Sequence, residues 1–245
     1  MATTDTQSAK TGSTSLAGAG YDFAPVAFDL YRDIHKGVRS ELFAITSTAG
    51  SVDPADAIGR LALADHVSSV GEALEAHALH EDTVIEPVLF EHMPELAEQA
   101  HHDHEVLDTG FAGLVRLAQD AAEAGAADQR RLGHLLYLEL SAFTSSYLTH
   151  QILEERVIMP ALEQALGVDA VIGLHVAIIS SIPPDEMARS LSFMLPAMNL
   201  DDRADLLGGF RATAPPEAFA DVMNLAGSVL APADHTALEN RLRLA

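Results

Sequence analysis

The chain has 245 residues, 48% of them apolar and only 5% aromatic, with no Cys and no Trp. That length suits one large domain, or a four-helix domain with a smaller helical unit, and an aliphatic, Ala-rich core favours helices over sheets. Lack of Cys excludes disulfides, thiolate metal sites, iron–sulfur clusters and Cys nucleophiles, and a formal charge of −22 disfavours nucleic acid and anionic membrane as partners.

Residues 1–20 are small, polar and Gly-rich, and are expected to form a disordered tail. No apolar run reaches membrane-spanning length and no charged-then-apolar leader opens the chain, so a soluble cytoplasmic protein is expected. From about Pro25, apolar residues recur at helical spacing through Leu30, Ile34, Val38, Leu42 and Ile45. This first helix carries His35, with Tyr31 and Arg39 one turn away on either side. Gly50 and Pro54 break it, and Asp53 is placed to cap the second helix.

The second helix spans about Asp56 to Phe90 and carries His66, His77, His80 and Glu81; Pro87 should kink or end its last turn. His66 lies three turns from His77, too far to share a ligand shell with it. A third helix, about Glu95 to Ala124, crowds His101, His102 and His104 together. Laying it on the first helix with His104 over His35 puts Leu107 on Val38, Phe111 on Leu42 and Leu114 on Ile45. His104 is therefore the choice, with His101 the alternative and His102 left to solvent.

The fourth helix, about Asp128 to Leu166, carries Tyr147, His150 and Glu154, with His134 well round the helix as a surface residue. Here the chain repeats itself. HQILEERVIMPAL from His150 matches HALHEDTVIEPVL from His77, at an offset of 73 residues, with His, Glu, Val, Ile, Pro and Leu in the same slots. A His and a Glu four apart lie on one helical face and can hold one ion. Two satisfied interfacial histidines would explain each pair alone, but a matched apolar frame after both pairs points to a repeated site held against a core.

Four long helices joined by short turns pack as an antiparallel bundle. His35 and His104 then join His77, Glu81, His150 and Glu154 in its interior, each of two ions taking two His and sharing two bridging Glu. Open imidazole and carboxylate coordination suits iron, with manganese next and zinc possible.

These residues resemble the haemerythrin-like, or HHE cation-binding, domain over about residues 25–166: His, then His-x-x-x-Glu, then His, then His-x-x-x-Glu, each pair followed by Pro. The resemblance implies an up-and-down bundle with a carboxylate-bridged non-haem di-iron centre, His35, His77, His104 and His150 as terminal imidazoles and Glu81 and Glu154 as bridges. Oxygen-carrying haemerythrins use five His and end with His and Asp five apart; here His101 or His80 would have to supply the fifth imidazole. One fewer His shifts the expectation from reversible oxygen carriage to chemistry on oxygen, peroxide or nitric oxide. An oxidase or oxygenase acting on a small organic substrate would need an apolar cavity lined by Tyr31, Tyr147 or Arg39, and an iron- or redox-responsive regulatory module would dock a partner instead.

Residues 167–245 change character. Paired prolines (Pro183 and Pro184; Pro215 and Pro216) suit the starts of short helices, with Ser181 and Thr213 as nearby caps. The expected organisation is an all-α chain: tail 1–20, bundle 21–166, and a C-terminal bundle of short helices, 167–245, that serves as a lid or homodimer surface. His175 and Met187, Met194, Met198 and Met223 are read as packed core residues.

Overall fold

In the computed structural model, which describes residues 24–244, every regular element is helical. The expected tail at 1–20 lies outside the described residues. Four long segments form an up-and-down bundle: α1 (Arg32–Ser51); α2 (Ala57–Val84), continued by α3 (Glu86–His92); α4 (Pro94–Glu123); and α5 (Gln129–Leu153), continued through a π turn (Glu154–Ile158) by α6 (Met159–Leu166). Each long helix packs on the next and α1 closes the ring against α5. Among the described residues no single helix is long and apolar enough to cross a membrane.

Two apolar clusters fill the bundle. One gathers Val38, Leu42, Ile45, Val67, Leu74, Leu107, Phe111, Leu140 and Tyr147. The other gathers Tyr31, Ile85, Leu89, Ala100, Ile158, Met159 and Leu162 around the broken ends of the helices. Fully burying a Leu or Ile contributes about 1.5–3 kcal/mol, so these layers, rather than helix propensity, hold the long helices together.

Several helix boundaries depart from the sequence expectation. The first helix begins at Arg32, not near Pro25, because Asp29 Oδ1 accepts the Tyr31 and Arg32 N–H groups at 3.0 and 3.1 Å, while Glu163 on α6 accepts the Ala27 N–H at 2.7 Å and ties down the preceding chain. The second helix ends at Val84, before the expected Phe90, since Pro87 supplies no N–H and forces a turn at Ile85. Pro160, the matching proline, acts through the π turn, where the Met159 N–H reaches back to the Glu154 carbonyl. Asp56, not Asp53, caps α2, accepting the Ile58 and Gly59 N–H groups at 3.1 Å.

Beyond Gly167 come α7 (Val168–Ser181), α8 (Pro184–Ala197), α9 (Leu200–Thr213), α10 (Pro216–Val229) and α11 (Pro232–Leu244). Ser181 and Thr213 cap neither α8 nor α10. Their hydroxyls bond back to the Ile178 and Gly209 carbonyls, closing the preceding helices, while Pro183 and Pro215 lead in extended. His175 is half-buried rather than core: only Val171 of α7 is buried, and the imidazole meets the edge of Phe28 at 5.1 Å. Met198 is buried, and Met187 and Met223 pack partly buried on a third cluster around Leu195, Leu207 and Leu238.

The extension docks through α8. A Cβ on Gly37 of α1 would stand 2.7 Å from the Phe193 ring and 3.1 Å from the Met194 backbone, so glycine is what lets the helices approach. Lys36 pairs with Asp202, and Glu186 receives His80 Nε2 at 2.6 Å. Gly37→Ala should therefore destabilise the chain by about 1–3 kcal/mol of overpacking, against a helix-propensity gain of about 1 kcal/mol. Phe193→Ala in the same chain should remove that overpacking penalty; a more stable Gly37→Ala single variant in urea unfolding would contradict the close contact.

Candidate metal centre

Between the two apolar clusters lies a polar layer, and the helical register puts it there. Along α1, His35 sits between Tyr31 of one cluster and Val38 of the other; α4 places His104 between Ala100 and Leu107 in the same way. His77 and Glu81 follow Leu74 and precede Ile85, and His150 and Glu154 follow Tyr147 and precede Ile158. His35, Glu81, His104, His150 and Glu154 are all buried, and the His77 side chain is 10% exposed.

The structure brings all six sequence-predicted residues together. Donor atoms of Glu81, His104, His150 and Glu154 lie within 4.8 Å of one another, as do those of His35, His77 and Glu81, so Glu81 belongs to both groups. Glu154 also spans them, with Oε2 3.4 Å from His35 Nε2 and Oε1 3.2 Å from His150 Nε2. Glu81 reaches His77 Nε2 at 3.2 Å and His104 Nε2 at 3.3 Å, one oxygen to each. Two carboxylates each touching imidazoles of both groups is the arrangement expected of bridges.

Satisfaction of the polar atoms tests whether a cation fits. His35 Nε2, Glu81 Oε2 and Glu154 Oε2 are buried without a hydrogen bond, and His104 and His150 turn their Nε2 atoms toward each other at 3.0 Å. Leaving such groups unpaired in an apolar interior costs several kcal/mol in all. A cation among them would satisfy them together, so the donor set fits a metal.

Two of the outer nitrogens have partners of their own. Glu155 takes His35 Nδ1 at 2.9 Å and is held by Arg39 at 2.8 and 3.0 Å. Asp82 takes His104 Nδ1 at 2.7 Å, whereas Asp103 stands 3.5 Å from His150 Nδ1, which is buried without a hydrogen bond. Such carboxylates fix the ring orientation and raise the basicity of the inward nitrogen. Sequence reasoning missed all three, although Asp82 and Glu155 follow the two Glu in the same slot of the repeat. Each single-His helix is braced by the pair-bearing helix of the other repeat.

The remaining candidates lie apart. His80 bonds outward to Glu186 and Ser181, and His101 is 47% exposed on Glu86, so neither is a fifth imidazole here. His66 pairs with Glu41, His102 is exposed, and exposed His134 stacks on Tyr137. Tyr31 and Tyr147 flank the layer, their rings 5.1 Å from His35 and 6.0 Å from His150.

Crowding shifts the titrations. Burial, then the charge of Glu154, pushes Glu81 up to about 7. Burial would also raise Glu154, but hydrogen bonds from His104 and His150 outweigh it and hold that carboxyl well below its usual range. Burial, then His35, lowers His77 to about 3. Burial opposes the charged form of His104, yet Asp82, Glu154 and Glu81 lift it to about 12. Burial and then the two Glu charges raise both tyrosines well above 10.0.

Protons on Glu81 and His104 at neutral pH must leave when a cation enters. Metal binding to the metal-free chain should therefore release protons and tighten as pH rises from about 6 to 8, read by calorimetry in buffers of different ionisation enthalpy; binding without proton release would contradict this. Glu155 is lowered from 4.5 to about 2, burial being outweighed by His35 and Arg39. Its stabilisation is thus fully present above pH 4.5 and lost as pH falls through about 2, and Glu155→Gln should flatten acid unfolding in that window.

Comparison with curated proteins and with solved structures gives no significant match. The Hemerythrin HHE cation binding domain matches residues 26–162, more than half of the chain and a span that includes all six converging residues. The chain therefore belongs to the haemerythrin HHE cation-binding family.

Proposed function

We propose that the protein is a non-haem di-iron protein that binds or reacts with oxygen, peroxide or nitric oxide. His35 and His77 would hold one iron, His104 and His150 the other, and Glu81 and Glu154 would bridge them. The observation that carries this reading is the set of buried, unpaired donor atoms facing one another across the bundle, shared by two carboxylates. Manganese or zinc would fit the same donors less characteristically. Two ferrous ions held there would supply two electrons to one diatomic ligand without releasing radicals.

The chain's own residues restrict what arrives. Apolar clusters lie on both sides of the layer, and burial keeps Tyr31 and Tyr147 beside it protonated at neutral pH. Two surface cavities, of about 400 and 590 Å³, are lined by none of the six residues. The first lies between α8 and the α1/α2 pair, the second near Arg60 and His134. The C-terminal helices act in this reading as a cover docked on α1; a partner or a second copy of the chain would bind outside it.

Protein from iron-supplied cells should carry about two irons per chain and show charge-transfer absorption that changes on anaerobic reduction and air exposure. Glu81→Ala with Glu154→Ala should empty the site and abolish those bands while the helical signal persists. Full iron retention by the double variant would overturn the ligand assignment.

A further inference from the structure

The two halves of the centre are built from equivalent helices, but their surroundings differ in charge. Registering His35 on His104 puts Arg39 on Asp108, 69 residues on, while registering His77 on His150 puts Asp82 on Glu155. At His35, the Arg39 guanidinium grips both oxygens of Glu155, so that carboxylate is already neutralised. The other charges on that side are also paired, Lys36 and Arg32 with Asp202, and Glu186 with His80.

At His104 the same place is acidic. Asp82 holds His104, Asp103 faces His150, Glu86 lies within 4.8 Å of Asp82, and exposed Asp108 occupies the slot of Arg39. The facing cationic group is His101, bonded to Glu86 at 2.9 Å and 47% exposed. Neither α2 beyond Arg60 nor α4 before Arg116 contains a Lys or Arg. Asp82 and Asp103 are about one-third exposed (35% and 34%), which screens them in part, but Asp82 is bonded to its ligand imidazole and Asp103 stands 3.5 Å from its own.

We propose that the two half-sites are electrostatically unequal: the His104/His150 half-site takes its divalent cation first and holds it more tightly, and the His35/His77 half-site fills second. The difference is set by Asp82, Asp103 and Asp108 against Arg39, and it rests on the centre holding two ions. An uncompensated carboxylate behind an imidazole raises its basicity and adds attraction for the ion, and such outer partners change affinity by about 10–100-fold.

The test is anaerobic calorimetric titration of the metal-free full chain with Fe²⁺, with Co²⁺ absorption as a second readout and circular dichroism to check folding. Wild type should bind two ions in steps at least about tenfold apart in Kd. Asp82→Asn with Asp103→Asn should weaken the tight step by about 10–100-fold and leave the weak one within about threefold. Arg39→Gln should tighten the weak step and draw the two together, while Arg39→Lys, which keeps the charge, should preserve their spacing. His77→Ala should keep the tight step and His150→Ala should lose it. Two ions of equal affinity, or a tight step surviving His150→Ala, would overturn the proposal while leaving two-ion binding intact. Fewer than two ions at saturation would overturn the two-ion reading and the proposal with it.

Discussion

Burial of four imidazoles and two carboxylates in one layer is the constraint around which the bundle is arranged. Each group alone resists transfer from water, and apolar clusters above and below leave little room for solvent to help. The layer persists because its members face one another, so that a proton, or a cation in its place, satisfies several at once. Titrations driven apart within one small space, with Glu81 raised and Glu154 lowered, express the same constraint. Where two like groups cannot both be charged, one takes the proton.

Much of this was legible in the sequence because the site is periodic. Spacing of four within each pair fixed a shared face, and the offset of 73 residues between pairs fixed the second copy. The apolar frame then chose His104 among three neighbours, which is the residue found buried. Fold class came from the aliphatic composition and helical periodicity. The family match spans the same six positions.

What escaped was contact across the repeats. Glu155 and Asp82 are ordinary acidic residues in an acidic chain until α1 is laid against α5 and α4 against α2. Arg39 was a candidate, with Tyr31 and Tyr147, to line a substrate cavity, and it holds the carboxylate behind His35. The caps differ from expectation for a related reason: Ser181 and Thr213 have hydroxyls suited to starting a helix, but each lies within reach of a carbonyl one turn behind and bonds there. His175 looked like core because its neighbours are apolar, whereas α7 packs against the bundle along one narrow edge.

The crossed bracing of the repeats also bears on how the centre comes into being. His35, His77 and Glu81 all lie in the first two long segments, but the carboxylate that holds His35, Glu155, comes 120 residues after it on the last one. A chain emerging from synthesis carries its first imidazoles long before their partners exist, and closing so long a loop precedes any gain from the contact. Bracing of the first imidazole thus waits until the last long segment has packed against α1.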